Sequence, residues 1–81
     1  MSRIADLAEE AMAERARGAR IFDLKLNYVD AAEEGEDLQA TAGIVHAGRR
    51  TIVAECTIEA PDGRLIATAS ATFAVLPDQE N

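Results

Sequence analysis

Apolar residues recur every three or four positions up to Gly18 and every second position after it. The first period predicts a helix over Arg3–Arg17. Ile4, Leu7, Ala8, Ala11 and Met12 share one stripe, Asp6, Glu10 and Glu14 fall on the other side, and Glu9 sits at the border. Ser2 is the expected N-cap and Gly18 the left-handed stop, while Arg15 and Arg17 complement the carbonyl end of the helix dipole. Arg15 also falls on the stripe, so either the apolar face stops at Met12 or the arginine stem runs along it with its head in water.

The second period predicts four strands. Phe22, Leu24, Leu26 and Tyr28 share one face of the first strand, with Asp23, Lys25 and Asn27 on the other. An acidic stretch with Gly35 at its centre then breaks the alternation and reads as a solvated loop. A strand over Leu38–Ala47 places Leu38, Ala40, Ala42, Ile44 and His46 together, and Gly48 turns the chain. A third strand over Thr51–Glu59 points Ile52, Ala54, Cys56 and Ile58 inward. Pro61, Asp62 and Gly63 form a strong turn signal, since proline presets one dihedral and glycine accepts a positive one. The last strand, Arg64–Leu76, puts Leu65, Ala67, Ala69, Ala71, Phe73 and Val75 on one face and Ile66, Thr68, Ser70, Thr72 and Ala74 on the other. Turns this short cannot make parallel crossovers, so the last three strands form an antiparallel meander. The expected class is α+β, one sheet curling round one helix.

Composition narrows this picture. An 81-residue chain is one small domain, and at this size only about 60 to 65% of the unfolded surface is buried. With many alanines and only Phe22, Tyr28 and Phe73 as aromatics, the core is thin, which points to oligomerisation. The net charge of −7 argues against a nucleic-acid partner, because phosphate neutralisation needs a basic stripe. The local exception is Arg49 with Arg50 beside Gly48, a spot for an anion. A single cysteine cannot form an internal disulfide, and Cys56 reads as a buried thiol in a reducing compartment. No membrane span or signal pattern is visible in the sequence, and the cytoplasm is the expected location.

The residues alone leave the chemistry open. Acids on a helix are usually a wet face, which is the reading for Glu10 and Glu14, and Asp6 near a helix start serves the dipole. His46 has no second histidine with which to hold a metal, so no metal site is expected. Cys56 shares the inward face of its strand and lacks a nearby histidine, and Ser70 lacks the strained turn of a nucleophilic serine.

Three segments carry a family resemblance: Leu-Asn-Tyr-Val at 26–29, His-Ala-Gly-Arg-Arg at 46–50, and the run from Asp62 to Pro77. Together they resemble the C-terminal part of the hotdog-fold acyl-CoA thioesterases, in particular the 4-hydroxybenzoyl-CoA and phenylacetate-pathway group, over about Ile4 to Pro77. The resemblance implies one central helix on a curved four-stranded antiparallel sheet, with two subunits pairing their sheets around active sites as a homodimer or homotetramer. It implies hydrolysis of a small or medium acyl-CoA, with coenzyme A as part of the substrate and no separate cofactor. Leu-Ala-Glu-Glu-Ala-Met at 7–12 resembles the family's catalytic helix segment, which makes Glu9 the first choice for base or nucleophile and Asp6 the second. The turn at Gly48, Arg49 and Arg50, with His46 before it, resembles the family's CoA-holding turn, and Asn27 falls in the strand that lines the acyl pocket. Family members begin with a strand and a His-Gly-Gly loop whose glycine NH polarises the thioester oxygen, and an Arg-Pro often follows the Asn-Tyr strand. Here the helix follows Met1 directly, and Asp30 and Ala31 replace the Arg-Pro. The expectation is therefore a truncated hotdog domain over 1–77 with a polar tail at 78–81. The alternative is a non-catalytic hotdog module that oligomerises and binds acyl-CoA, and a third reading is a purely structural oligomer.

Overall fold

The helix forms where the longer period predicts it. In the computed structural model, which describes residues 3–76, α1 spans Arg3–Ala16. The expected cap Ser2, Pro77 and the polar tail lie outside the described residues. Ala8, Met12 and Ala16 are buried, with Ile4, Leu7 and Ala11 half-buried beside them. The stripe thus continues one turn past Met12 through Ala16, and Arg15 stays exposed. Arg17 and Gly18 then take left-handed dihedrals, with φ of 42° and 88°, and the Ala19 N–H donates to the Ala16 carbonyl at 3.3 Å, which ends the helix.

Four strands follow: β1 (Arg20–Tyr28), β2 (Gln39–Ala47), β3 (Thr51–Glu59) and β4 (Leu65–Ala74). They make one antiparallel sheet in the order β1-β4-β3-β2. The expected meander is present in β2, β3 and β4. β1 does not join it beside β2 but lies against β4 at the far edge, so the chain between β1 and β2 must cross the whole end of the sheet. The helix rests on one face, closest to β2 and β3. That face supplies Ala42, Ala54, Cys56, Ile58, Ala67, Ala69, Ala71 and Phe73 to the core. The α+β class and the single helix on a four-stranded sheet are as the sequence predicts.

Three one-residue shifts in register correct the predicted faces. In β1, Ile21 pairs with Phe73 and Asp23 with Thr72, leaving Phe22 between them. Ile21 therefore takes the inward place expected of Phe22, which is 64% exposed. In β2, Ile44 pairs with Ala54 and His46 with Val53, so His46 leaves the helix side that the alternation assigned to it and joins the outer face. In β4, Ala67 pairs with Ile58 while Leu65 pairs with the exposed Glu59. Here Ile66, expected outside, is fully buried and Leu65 is only partly covered. Each shift is a bulge, in which an extra residue interrupts the alternation and raises the local twist of the strand.

Cys56 lies on the helix side, buried, with its thiol donating to the Thr57 carbonyl at 3.6 Å. Burial pushes the thiol pKa up, and the hydrogen bond with the Thr41 backbone offsets part of this. The buried, inward thiol expected from the alternation agrees with this placement.

Two measurements test these assignments. In urea denaturation at low protein concentration, Phe73→Ala is expected to cost about 3–5 kcal/mol, as a large core deletion does. Phe22→Ala is expected to stay within about 0.5 kcal/mol, and equal costs would contradict the β1 bulge. For Cys56, the unfolded chain releases the thiol proton first as pH rises, since the folded value is raised. Stability is thus unaffected by this group below the ordinary thiol range and falls with pH above it. The native chain should lose stability more steeply over the alkaline range than Cys56→Ala, as read from thermal melts at stepped pH.

Candidate functional site

The helix carboxylates differ in their surroundings. Glu9 is half-buried, beside the fully buried Ala8 and one turn from Met12, whereas Asp6, Glu10 and Glu14 are exposed. The border position follows from the 3.6 period, which puts residue 9 at the flank of a stripe centred on residues 8, 12 and 16. Among the described residues, no ion pair or hydrogen bond orients Glu9. Its carboxylate can meet the apolar seam on one side and water on the other.

The β2–β3 turn is built differently. The Gly48 N–H donates to the Thr51 carbonyl at 2.8 Å, and the Val75 N–H donates to the Arg50 carbonyl at 2.9 Å, fixing the turn against the chain that leaves β4. A Cβ on Gly48 would stand 3.1 Å from His46 Nε2 and 3.3 Å from the Thr51 carbonyl oxygen, so the imidazole occupies the space a side chain there would need. His46, Gly48, Arg49 and Arg50 are thereby brought together, with both arginine side chains exposed. Cationic donors and one fixed backbone turn can hold an anion such as a phosphate. The bulge at Val45 is what delivers His46 to this cluster, and a strict alternation could not have found it.

Asn27 belongs to neither group. It lies on the outer face, in a cross-strand row with Thr68, Thr57 and Thr41. The next row is Lys25, Ser70, Glu55 and Gly43. All of these residues except Lys25 line an open groove of about 620 Å³, which Ile44 and Val45 extend along β2. A Cβ at Gly43 would meet nothing within 4 Å, so packing inside the chain does not require this glycine, and its bare backbone widens the groove. His46 stands two rows further on and three strands across, roughly 13 Å along and 14 Å sideways from Asn27. Glu9 and Asp6 lie on the helix side, with the sheet between them and Asn27. The groove's own carboxylate is Glu55, which the sequence placed outward without assigning it a role.

Within the chain the expected site residues therefore form three separate groups: the helix carboxylates, the outer-face Asn27, and the cluster of His46 with Gly48, Arg49 and Arg50. The last sits at the C-terminal end of the helix, because β1 enters the sheet there with Arg20 opposite Ala74 and Ala74 opposite Thr51. No group of three or more His, Cys, Asp or Glu side chains among the described residues is arranged to hold a metal ion. No helix among them is long and apolar enough to cross a membrane.

Comparison with known proteins places this frame. The sequence matches the model of the thioesterase superfamily over residues 2–67. No curated protein matches it. Among solved structures, a Bacillus halodurans protein determined with CoA is similar at a TM-score of 0.84 and 31% identity, covering 94% of this chain and 58% of that one. A Streptococcus mutans protein bound to acetyl CoA is similar at 0.69 and 28% identity, covering 72% and 47%. A point variant of the phenylacetic acid degradation protein PaaI from Thermus thermophilus is similar at 0.78 and 27% identity, covering 88% and 64%. The chain spans less than two thirds of the length of each of these three. Matched over most of its length by that family model and sharing one helix on one antiparallel sheet with these relatives, the chain belongs to the thioesterase superfamily and has the hotdog fold.

Proposed function

We propose that the protein is an acyl-CoA thioesterase that hydrolyses a small or medium acyl-CoA as a homodimer or homotetramer. The observation that carries this is the likeness to the B. halodurans protein solved with CoA, which extends over 94% of the chain. Glu9 is the proposed base or nucleophile and Asp6 the second choice. As base, Glu9 takes a proton from a water whose oxygen attacks the thioester carbon; the C–S bond then breaks and the departing sulfur takes up a proton. Positive potential at the helix N-terminus favours the developing oxyanion. Arg49 and Arg50 engage the phosphates of the CoA moiety, with His46 and the Gly48 turn beside them, and Asn27 contributes to the acyl-side wall. CoA enters as substrate, with no separate cofactor in the proposal.

A second subunit supports this scheme physically. The three groups lie apart in one chain, and edge strand β1 with the residue after it exposes Phe22, Tyr28 and Val29 at 64, 58 and 57%. A neighbouring copy paired along that edge would cover them and bring its own Asn27-bearing strand alongside. A reducing compartment such as the cytoplasm suits the free thiol of Cys56.

A non-catalytic acyl-CoA-binding module is the second reading. It is favoured by the absence, among the described residues, of any group orienting Glu9.

Thiol release from a panel of acyl-CoAs separates the two readings. The native chain is expected to turn over at least one substrate. Glu9→Gln should lower kcat by about 100-fold or more, the usual scale for a lost general base, with Asp6→Asn within about threefold. A Glu9→Gln chain as fast as the native one removes Glu9 from the mechanism. No release from any substrate, with a thermal shift on adding CoA, favours the binding module. Neither release nor shift leaves a structural oligomer. Replacing both Arg49 and Arg50 by alanine should weaken CoA binding about tenfold at low salt and less at high salt, read by calorimetric titration.

A further inference from the structure

The segment between β1 and β2 must travel from one edge of the sheet to the other, and it does so without regular structure of its own. It carries Asp30, Glu33, Glu34, Glu36 and Asp37, so it repels itself. One cation at the middle of its path gathers it. Arg64, at the turn between β3 and β4, places its guanidinium Nη2 3.0 Å from Glu36 Oε1 and 3.3 Å from the Ala31 carbonyl oxygen. Its Nε lies 3.4 Å from Asp30 Oδ2, and its Nη1 donates to Asp62 Oδ2 at 3.0 Å. The Arg64 backbone N–H donates to Asp62 Oδ1 at 3.0 Å, so the same aspartate holds both the turn and the head group. The Glu36 carboxylate in turn accepts from the Glu33 N–H at 2.8 Å, and the Glu36 carbonyl accepts from Arg3 at the start of the helix, also at 2.8 Å. Ala32 and Leu38 of the same segment pack against the core.

We infer that Arg64 is an electrostatic clasp: it straps the acidic crossover over the N-terminal end of the helix, and the strap opens locally when that charge is screened or removed. The chain of contacts runs from the β3–β4 turn through Arg64 to Glu36, and from Glu36 to Glu33 on one side and Arg3 on the other. The flat, five-donor guanidinium is what lets one side chain serve three carboxylates and a carbonyl, which an ammonium cannot do in one geometry. All the partners remain partly open to water, so the strap is sensitive to salt where the buried sheet beneath it is not. Released, the crossover uncovers Ala32 and Leu38 and frees Arg3, giving access to the first turns of the helix while the sheet stays intact. The device stands whether or not the chain is a thioesterase.

Amide hydrogen exchange on the full chain tests it, corrected by the rates of an unstructured peptide of the same segment at each salt concentration. From about 10 mM to about 1 M NaCl the screening length falls from about 30 Å to about 3 Å. The Glu33 and Glu36 amides should then exchange about tenfold faster, with Ala54–Ile58 and Ala67–Ala71 unchanged. Arg64→Gln should show the fast rate at all salt concentrations, and Arg64→Lys an intermediate rate with the salt response partly restored. The clasp is refuted if the native crossover amides ignore salt, if strand amides accelerate by the same factor, or if Arg64→Gln exchanges like the native chain. The salt series on the native chain decides the matter even if a variant fails to fold.

Discussion

Close approach between α1 and the sheet, made possible by small side chains, is the constraint on which the rest of this structure depends. Of the thirteen buried apolar residues among those described eight are alanines, so few side chains are large enough to widen the layer between the helix and β2 and β3. Phe73, Met12, Ile58 and Ile66 provide most of the bulk. Because alanine contributes little area per residue, such a core stabilises the fold modestly. Apolar groups left uncovered at the edge of the sheet then become candidates for contact with another molecule.

The elements and the inner face of β3 were legible because period and burial coincide there without interruption. What the alternation missed has a common cause. Each misassigned position adjoins a doublet of apolar residues: Ile21 with Phe22, Ile44 with Val45, Leu65 with Ile66. Within such a doublet either residue can be the inward one, so a bulge leaves the pattern on both sides looking regular while reversing its sense. Ile52 with Val53 is also a doublet, and its strand passes through in register, so a doublet permits a bulge without dictating one.

The candidate site was legible in chemistry and less so in arrangement. The flank position of Glu9 followed from helical geometry, and the outward face of Asn27 from strand geometry, but the side of the sheet on which the helix would rest relative to Asn27 depends on packing. The position of His46 turned on a bulge. The contacts of Arg64 with Asp30, Ala31 and Glu36 join positions some thirty residues apart. They arise only because β1 inserts beside β4, sending the intervening chain past the β3–β4 turn, and a reading of local pattern carries no information about strand order.

That insertion also governs how the molecule can be assembled in time. The meander of β2, β3 and β4 closes through short turns, at little entropic cost. The first strand, by contrast, has no strand to dock on until β4, the latest made of the four described strands, is in place. During synthesis Leu24 and Leu26 must wait in solvent for a neighbour made some forty residues later. Completion of the native sheet is therefore a late, non-local event, and the nascent chain is most vulnerable to sticking to its copies just before that step.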